Sequence, residues 1–398
     1  MNKVRFGIIG VGTMGTGHAR SIAGDTGRLI ELGAVCDIDE DRARSVGGEC
    51  DVPYFTDAGE LYDSDLCDAV IIATPHYPHA PLALQAARAG LHVLCEKPLS
   101  SSVSHARAMI AECRKRHKVL GAVLHHRTRG IMQKARKLVT DGVLGEVFRV
   151  QMICSGWFRT QAYYDSGAWR GTWDGEGGGV LINQAPHHLD LFQWIGMGLP
   201  RRVIATCHTR EHDIEVEDTA NILCDYGEGR MGYIYATTAE QPGMEQFVLS
   251  GDKATMIIQD NRIRLGKLKV PIRDFIYGCQ TANAVASPTM KQGCTWREVR
   301  YRRNPKTDGK HIEMVRGFAR EVLGRGEQYA PGDEAINELE LSNAAYLSGF
   351  TGGEPVDVPV DAAKMDRLLA KLERERSTGK GGGLRRKYHR QFRRLTRQ

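Results

Sequence analysis

The chain has 398 residues, of which 41% are apolar and 26% charged, a size and composition that suit a globular protein of two domains and exclude a fibrous or disordered chain. Its net charge of +6 is unevenly spread: Ser377 to Gln398 holds eight basic residues and no acid, and removing eight from +6 leaves the body at −2. Any claim of nucleic-acid binding would therefore have to rest on the tail alone, and no apolar run approaches the ~20 residues that cross a bilayer.

In chain order, Val4–Ile9 reads as a buried strand and Met14–Ala23 as the helix after it. Ile30–Cys36, Asp68–Ala73, His92–Cys95 and Val119–Leu124 continue the strands; Glu40–Val46, His79–Ala89 and Ser104–Arg116 are the intervening helices. Apolar β-branched runs between amphipathic helices predict an α/β fold, a doubly wound parallel sheet of the Rossmann type over residues 1–125. After that the pattern changes. A helix (Ile131–Thr140) and a long strand (Glu146–Ser155) precede a Gly-, Trp- and Tyr-rich loop to Gly179, then a helix over Leu181–Ile195. Six strands follow: Arg202–Thr206, Thr219–Tyr226, Arg230–Thr237, Gln246–Gly251, Thr255–Gln259 and Ile263–Leu268. Tight turns such as Gly227-Glu228-Gly229 join them, so the second domain, residues 126–376, is α+β on a mostly antiparallel sheet. Residues 279–309 read as a surface excursion. Helices follow over His311–Leu323, Asp333–Ser348 and Asp361–Arg376, and 377–398 as a disordered basic tail.

Ten cysteines are scattered without a Cys-x-x-Cys pair or a compact Cys/His cluster, so no metal site is expected and a reducing compartment fits. The first strand begins within three residues of the N-terminus, leaving no room for a leader; a cytoplasmic protein is the expectation.

Gly10-Val11-Gly12-Thr13-Met14-Gly15 lies between the first strand and its helix. Gly10 allows the tight turn, Gly12 lets a pyrophosphate approach the backbone, and Gly15 lets the helix pack against the strand. The helix N-terminus, with Thr13 and Met14 in its first turn, then offers unpaired N–H groups to the phosphates. Asp37 ends the second strand, 22 residues past Gly15. Its carboxylate suits the adenosine ribose hydroxyls and repels a 2′-phosphate, which favours NAD; Arg42 and Arg44 nearby keep NADP open. Thr74, Pro75, His76 and His79 follow the third strand at the carboxyl edge of the sheet, where ligands bind in such folds. Glu96-Lys97-Pro98 follows the next strand at the same edge. A lysine serves as general acid or base when burial or a nearby cation lowers its pKa, and Glu96 can orient it.

These motifs, with the run Gly177-Gly178-Gly179-Val180-Leu181-Ile182-Asn183-Gln184-Ala185-Pro186-His187-His188-Leu189-Asp190, resemble the glucose–fructose oxidoreductase/inositol dehydrogenase (Gfo/Idh/MocA) family over residues 1–375. The resemblance implies NAD(P)-linked oxidation or reduction of a sugar or polyol. It also implies a homo-oligomer joined through the open C-terminal sheets. Lys97 then lies beside the nicotinamide and the substrate hydroxyl, with His187 as its partner in proton transfer. Many members carry aspartate where this chain has Asn183; an amide takes no proton, so Asn183 is assigned to substrate positioning.

Asn183, His187 and Asp190 are spaced i, i+4, i+7, which in a helix places them on one face, with Asp190 able to fix the tautomer of His187. Pro186 conflicts with a regular helix through this segment, so the helix either starts or kinks there. The preceding loop carries Tyr163, Trp169 and Arg170, aromatic plates and a cation suited to a sugar ring, and Arg127 after the last parallel strand is a further candidate for the same cleft. Two other readings stay open: a glycosidase-like enzyme that oxidises its sugar transiently and recycles NAD, and a non-enzymatic dinucleotide sensor with a basic tail for an acidic partner.

Overall fold

The β-branched runs of the first 125 residues pair in parallel. β1 (Val4–Ile9), β2 (Ile30–Cys36), β3 (Tyr54–Phe55), β4 (Ala69–Ile72), β5 (His92–Cys95) and β6 (Leu120–Ala122) form a six-stranded sheet in the order β3-β2-β1-β4-β5-β6. Helices α1 (Thr13–Ala23), α2 (Glu40–Cys50), α3 (Ala58–Tyr62), α4 (His79–Arg88) and α5 (Val103–Lys115) connect them. Every residue of β4 is buried, as an apolar strand covered on both faces must be. The strand order reverses between β1 and β4, so a crevice opens at their carboxyl ends, where Gly10 and Thr74 lie. The structure, a computed structural model, describes residues 2–278 and 294–376; the basic tail and residues 279–293 of the expected excursion lie outside them.

A 3-10 turn (His125–Thr128) and α6 (Gly130–Thr140) lead into the second unit. Its nine-stranded sheet contains β7 (Val147–Cys154), β8 (Arg202–His208), β9 (Thr219–Gly227), β10 (Arg230–Thr237), β11 (Glu245–Gly251), β12 (Ala254–Gln259), β13 (Arg262–Leu268), β14 (Cys294–Val299) and β15 (Val356–Asp357). The order is β14-β13-β12-β11-β7-β10-β9-β8-β15, antiparallel except for the parallel pair β7/β10. The expected excursion is corrected in part: residues 294–299 form an edge strand on β13. Strict alternation of buried and exposed residues in β8 marks one face as core and the other as open.

The connecting segments include α7 (Gln161–Asp165) and α8 (Trp173–Glu176), short helices in what reads as loop, then α9 (Pro186–Ile195) and α10 (Ile272–Gly278). The helix expected from Leu181 begins at Pro186 instead, with proline in its first turn, where a missing N–H costs nothing. The residues before it fold as tight turns, with the Asn183 and Ala185 amides donating to the Gly179 and Val180 carbonyls. The chain then returns to the first unit through α11 (His311–Val322), α12 (Gly332–Phe350) and α13 (Ala362–Arg376). The Ala122 amide donates to the Ala330 carbonyl, Asn343 accepts from the Val103 amide at 3.1 Å, and Arg107 pairs with Glu340 at 2.6 Å. This return fixes the two sheets around one cleft.

Candidate active site

The turn from β1 to α1 is shaped by its glycines. Gly10 has φ +85°, and a Cβ there would meet Thr74 Cγ2 at 2.8 Å. A Cβ on Gly15 would lie 1.8 Å from the Gly10 carbonyl oxygen, so only glycine allows this close approach of helix and strand. A Cβ on Gly12 would meet nothing within 4 Å; its surface faces open space in front of the helix. The first turn of α1 carries no acid and no side-chain cap, so its N–H groups are available to phosphates, beside exposed Thr13 and Met14. Asp37 accepts from the Val11 and Asp39 amides at 2.8 and 3.0 Å, which anchors the turn to the end of β2. Ile38 follows it, 95% exposed, an apolar side chain open to a ligand at the end of β2. Arg42 reaches Asp37 at 3.4 Å, whereas Arg44 is occupied by Glu40 and Tyr54. These donors and this relief fit a dinucleotide.

The loops after β4 and β5 are locked together. His79 is fully buried, one ring nitrogen 2.9 Å from the Pro98 carbonyl and the other 2.9 Å from that of Thr74. It is a strut between the two loops, and the expectation that it meets the cofactor is corrected. His76 is buried too; its Nδ1 lies 2.7 Å from the Glu176 carbonyl, so it ties the β4 loop to the second unit. Thr74 is half-buried beside Gly10, and Pro75 is exposed. Glu96 is buried, one oxygen 2.7 Å from His18 Nε2 on α1 and the other accepting from the Lys97 amide. Burial works to raise its pKa, but the His18 hydrogen bond, with His311 and Lys97 nearby, holds the carboxyl down at about 2, so it is ionised. The Lys97–Pro98 peptide is cis.

Lys97 points from this edge into the second unit. Its Nζ donates to the Asn183 carbonyl at 2.6 Å and to Asn183 Oδ1 at 3.3 Å. Burial lowers its pKa, opposed by the acidic side chains of Glu96, Glu176 and Glu338. Asn183 Nδ2 donates in turn to Glu176 and to the Tyr163 hydroxyl at 3.2 Å. Tyr163 also accepts from Arg170 at 2.6 Å and stands between two guanidinium groups, with Arg159 and Arg170 over its ring at 4.4 and 4.5 Å. Arg159 also lies over the Trp157 ring at 5.4 Å and Arg170 over the Trp169 ring at 4.4 Å, so the loop pairs aromatic rings with cations.

His187 and Asp190 do not join Asn183 on a shared helix face, because Asn183 precedes the helix. His187 packs against His125 and His126, with ring centroids 4.3 and 4.5 Å apart. Burial holds its pKa well below the ordinary value, and the neighbouring histidines and the Lys97 ammonium act in the same direction, so the ring is neutral. Its Nδ1, like those of His125 and His126, is buried without a hydrogen-bond partner. Asp190 does not fix the His187 tautomer. It is paired with Arg127, at 2.6 and 2.8 Å, and both side chains are inaccessible. Arg127 also holds Glu334 and the Tyr329 carbonyl. The assignment of Arg127 and Asp190 to the cleft is therefore corrected: they are a buried tie between the two units. Among the described residues, no group of three or more His, Cys, Asp or Glu side chains is placed to hold a metal ion.

Residues 4–123 match the family described as oxidoreductase family, NAD-binding Rossmann fold, and residues 132–257 match the Gfo/Idh/MocA C-terminal domain. The chain belongs to the Gfo/Idh/MocA oxidoreductase family. Its first unit is an NAD-binding Rossmann domain. Among relatives, the rhizopine catabolism protein MocA of Rhizobium meliloti is 27% identical over 332 residues, 78% of this chain and 100% of that protein. Inositol 2-dehydrogenase of Rubrobacter xylanophilus is 31% identical over 195 residues, 48% of this chain and 52% of that enzyme. Among solved structures, the WlbA dehydrogenase of Bordetella pertussis, in complex with NADH and UDP-GlcNAcA, superposes with a TM-score of 0.74 at 25% identity, covering 91% of this chain and 99% of that one.

Within this Gfo/Idh/MocA site the sequence reading misses Glu176, His125, His126, His18 and His311. Glu176 carries a local signal, an acid directly before the glycine run. His311 carries none, since it reaches the cleft from 186 residues beyond the 3-10 turn whose His125 ring it stacks on at 4.1 Å. No helix among the described residues is long and apolar enough to cross a membrane.

Proposed function

We propose that this protein is an NAD-dependent dehydrogenase or reductase acting on a CH–OH group of a sugar, cyclitol or sugar derivative. One observation carries the reading: a lysine of lowered pKa, at the carboxyl edge of the dinucleotide sheet, clamped by Asn183 of the second unit. Gly10, Gly12, Thr13, Met14 and Gly15 hold the pyrophosphate, and Asp37 holds the adenosine ribose, with Thr74 and Pro75 along the crevice. Asp37 disfavours a 2′-phosphate, so NAD is used in preference to NADP. Bound there, the nicotinamide supplies the hydride acceptor or donor.

The chain's own residues position the substrate and move the proton. Lys97 takes the hydroxyl proton in the oxidative direction and returns it in the reductive one, a role that a lowered pKa suits. His187, a neutral imidazole, hydrogen-bonds the reacting or adjacent hydroxyl and assists that transfer. Asn183 orients Lys97 and a substrate hydroxyl. Tyr163, Trp169 and Arg170 form the outer wall; Arg170 and Arg159 belong to no ion pair among the described residues, so substrates carrying an acid group belong in any test. The protein works in the cytoplasm as a homo-oligomer joined through the open face of the nine-stranded sheet, with the domains divided near residue 125.

The test is a panel of neutral sugars, cyclitols and sugar acids incubated with NAD and followed by absorbance of the reduced cofactor. Accumulation of NADH with one class supports the reading. Sugar conversion without NADH accumulation points to the glycosidase-like enzyme with a recycled cofactor, and no conversion of any class points to a dinucleotide sensor.

A further inference from the structure

Glu176 sits in the last turn of a four-residue helix, and its side chain is 1% exposed. One carboxylate oxygen accepts from the Gly171 amide at 2.6 Å; the other accepts from Asn183 Nδ2. The same Asn183 amide turns its Oδ1 to Lys97 Nζ at 3.3 Å. A flipped amide would set its NH₂ against an ammonium and its oxygen against a carboxyl, unfavourable at both ends. We propose that Glu176 is the positioning carboxylate of this site: it holds the Asn183 amide in register with Lys97 and supplies the negative charge that sets how readily Lys97 gives up its proton. This rests on the reading of Lys97 as the proton-transfer group.

The groups facing Glu176 are few. Lys97 comes from the β5 edge, Arg170 and the Gly171 amide from the preceding loop, Asn183 and Tyr163 from either side, and Tyr164 from α7. His76 meets its backbone carbonyl. Burial pushes the Glu176 carboxyl up to about 7, against the pull of Gly171, Asn183, Arg170 and Lys97. Its ionisation therefore changes across the pH range in which an enzyme works. Glu176 favours the charged form of Lys97, so neutralising it makes the amine easier to deprotonate.

The experiment is pH-dependent acylation of Lys97 by acetic anhydride, quantified by mass spectrometry of the peptide that carries it. It is run on the full chain, with turnover on the panel substrate measured alongside. Glu176→Gln moves the midpoint of Lys97 labelling to lower pH, so at a fixed pH below the wild-type midpoint labelling is severalfold faster. Asn183→Asp moves it to higher pH, because a carboxylate then touches the ammonium directly. The double variant, with acid and amide exchanged, returns the midpoint to the wild-type value or above it. A Glu176 that merely closes its loop leaves the midpoint unmoved in Glu176→Gln, and that result overturns the proposal. Should that variant fail to fold, an unmoved midpoint in Asn183→Asp overturns it equally. Labelling needs no substrate, so absence of sugar turnover in the wild type sinks the functional reading alone.

Discussion

At the scale of residues, position in the sequence and position in the cleft diverge most for charged side chains. Lys97 was legible because a lysine between a strand end and a proline has few structural uses. Arg127 and Asp190 look equally suited to a polar substrate, yet they neutralise each other out of reach of solvent. Pairing across 63 residues leaves no local trace in a sequence. Removing one partner strands the other, so Arg127→Met should lower the unfolding free energy by about 3–5 kcal/mol. Urea denaturation measures this. Sugar turnover by the fraction that remains folded should stay close to wild type, and a large rise in KM at unchanged stability would restore Arg127 to the substrate site.

At the scale of elements, the first unit was readable because each local rule agrees with the next: apolar strand, glycine turn, helix. The turn makes two separable claims. Gly12→Val places its side chain in open space at φ −66°, a conformation valine accepts, so thermal stability should hold while NAD affinity falls at least about tenfold, or ~1.4 kcal/mol. Gly15→Ala drives a methyl into the Gly10 carbonyl and should cost about 1–3 kcal/mol of stability or more. Calorimetry of unfolding and of NAD binding separates the two. The 181–195 segment reads as one helix because its apolar residues continue a helical period through turns that end only at Pro186, the alternative start that Pro186 itself signals.

A different rule governs α12, where Glu338 is buried with one oxygen lacking a hydrogen-bond partner. Burial raises its pKa well above the ordinary value, Asp190 adds to this and Lys97 opposes it. The unfolded chain ionises this acid above about pH 4.5 while the folded chain keeps it protonated, so stability is greatest below that pH and declines as pH rises, by up to about 1.4 kcal/mol per pH unit. Glu338→Gln removes the titration. Thermal melts should show the variant gaining on wild type at pH 8 and not at pH 4; parallel pH curves for the two proteins would contradict this.

At the scale of the whole molecule, the sequence pattern conveys two sheets but not how they face each other. That depends on the late helices returning to the first unit, which brings His311 to the stack that includes His125 and His187, and on Arg127 joining α9 and α12. The outer face of the large sheet keeps Ile204 and Leu223 directly opposite each other and 41% and 48% exposed. Isolated apolar side chains are ordinary on a surface, but a facing pair on an open sheet suits a second copy. Light scattering should report an oligomer for the wild type and a smaller particle for Ile204→Lys combined with Leu223→Lys. A monomeric wild type, or an unchanged mass in the variant, would remove the sheet from the assembly.

On the proposed function, the amine of Lys97 moves the substrate proton beside a cofactor held by the glycine turn. Turnover of Lys97→Met, on whichever sugar the wild type oxidises, tests it most directly. Acid–base catalysis by a placed group is worth about 10²–10⁴-fold, so kcat should fall by at least that much while calorimetry finds NAD affinity intact. A variant that retains wild-type turnover with NAD bound would contradict the account.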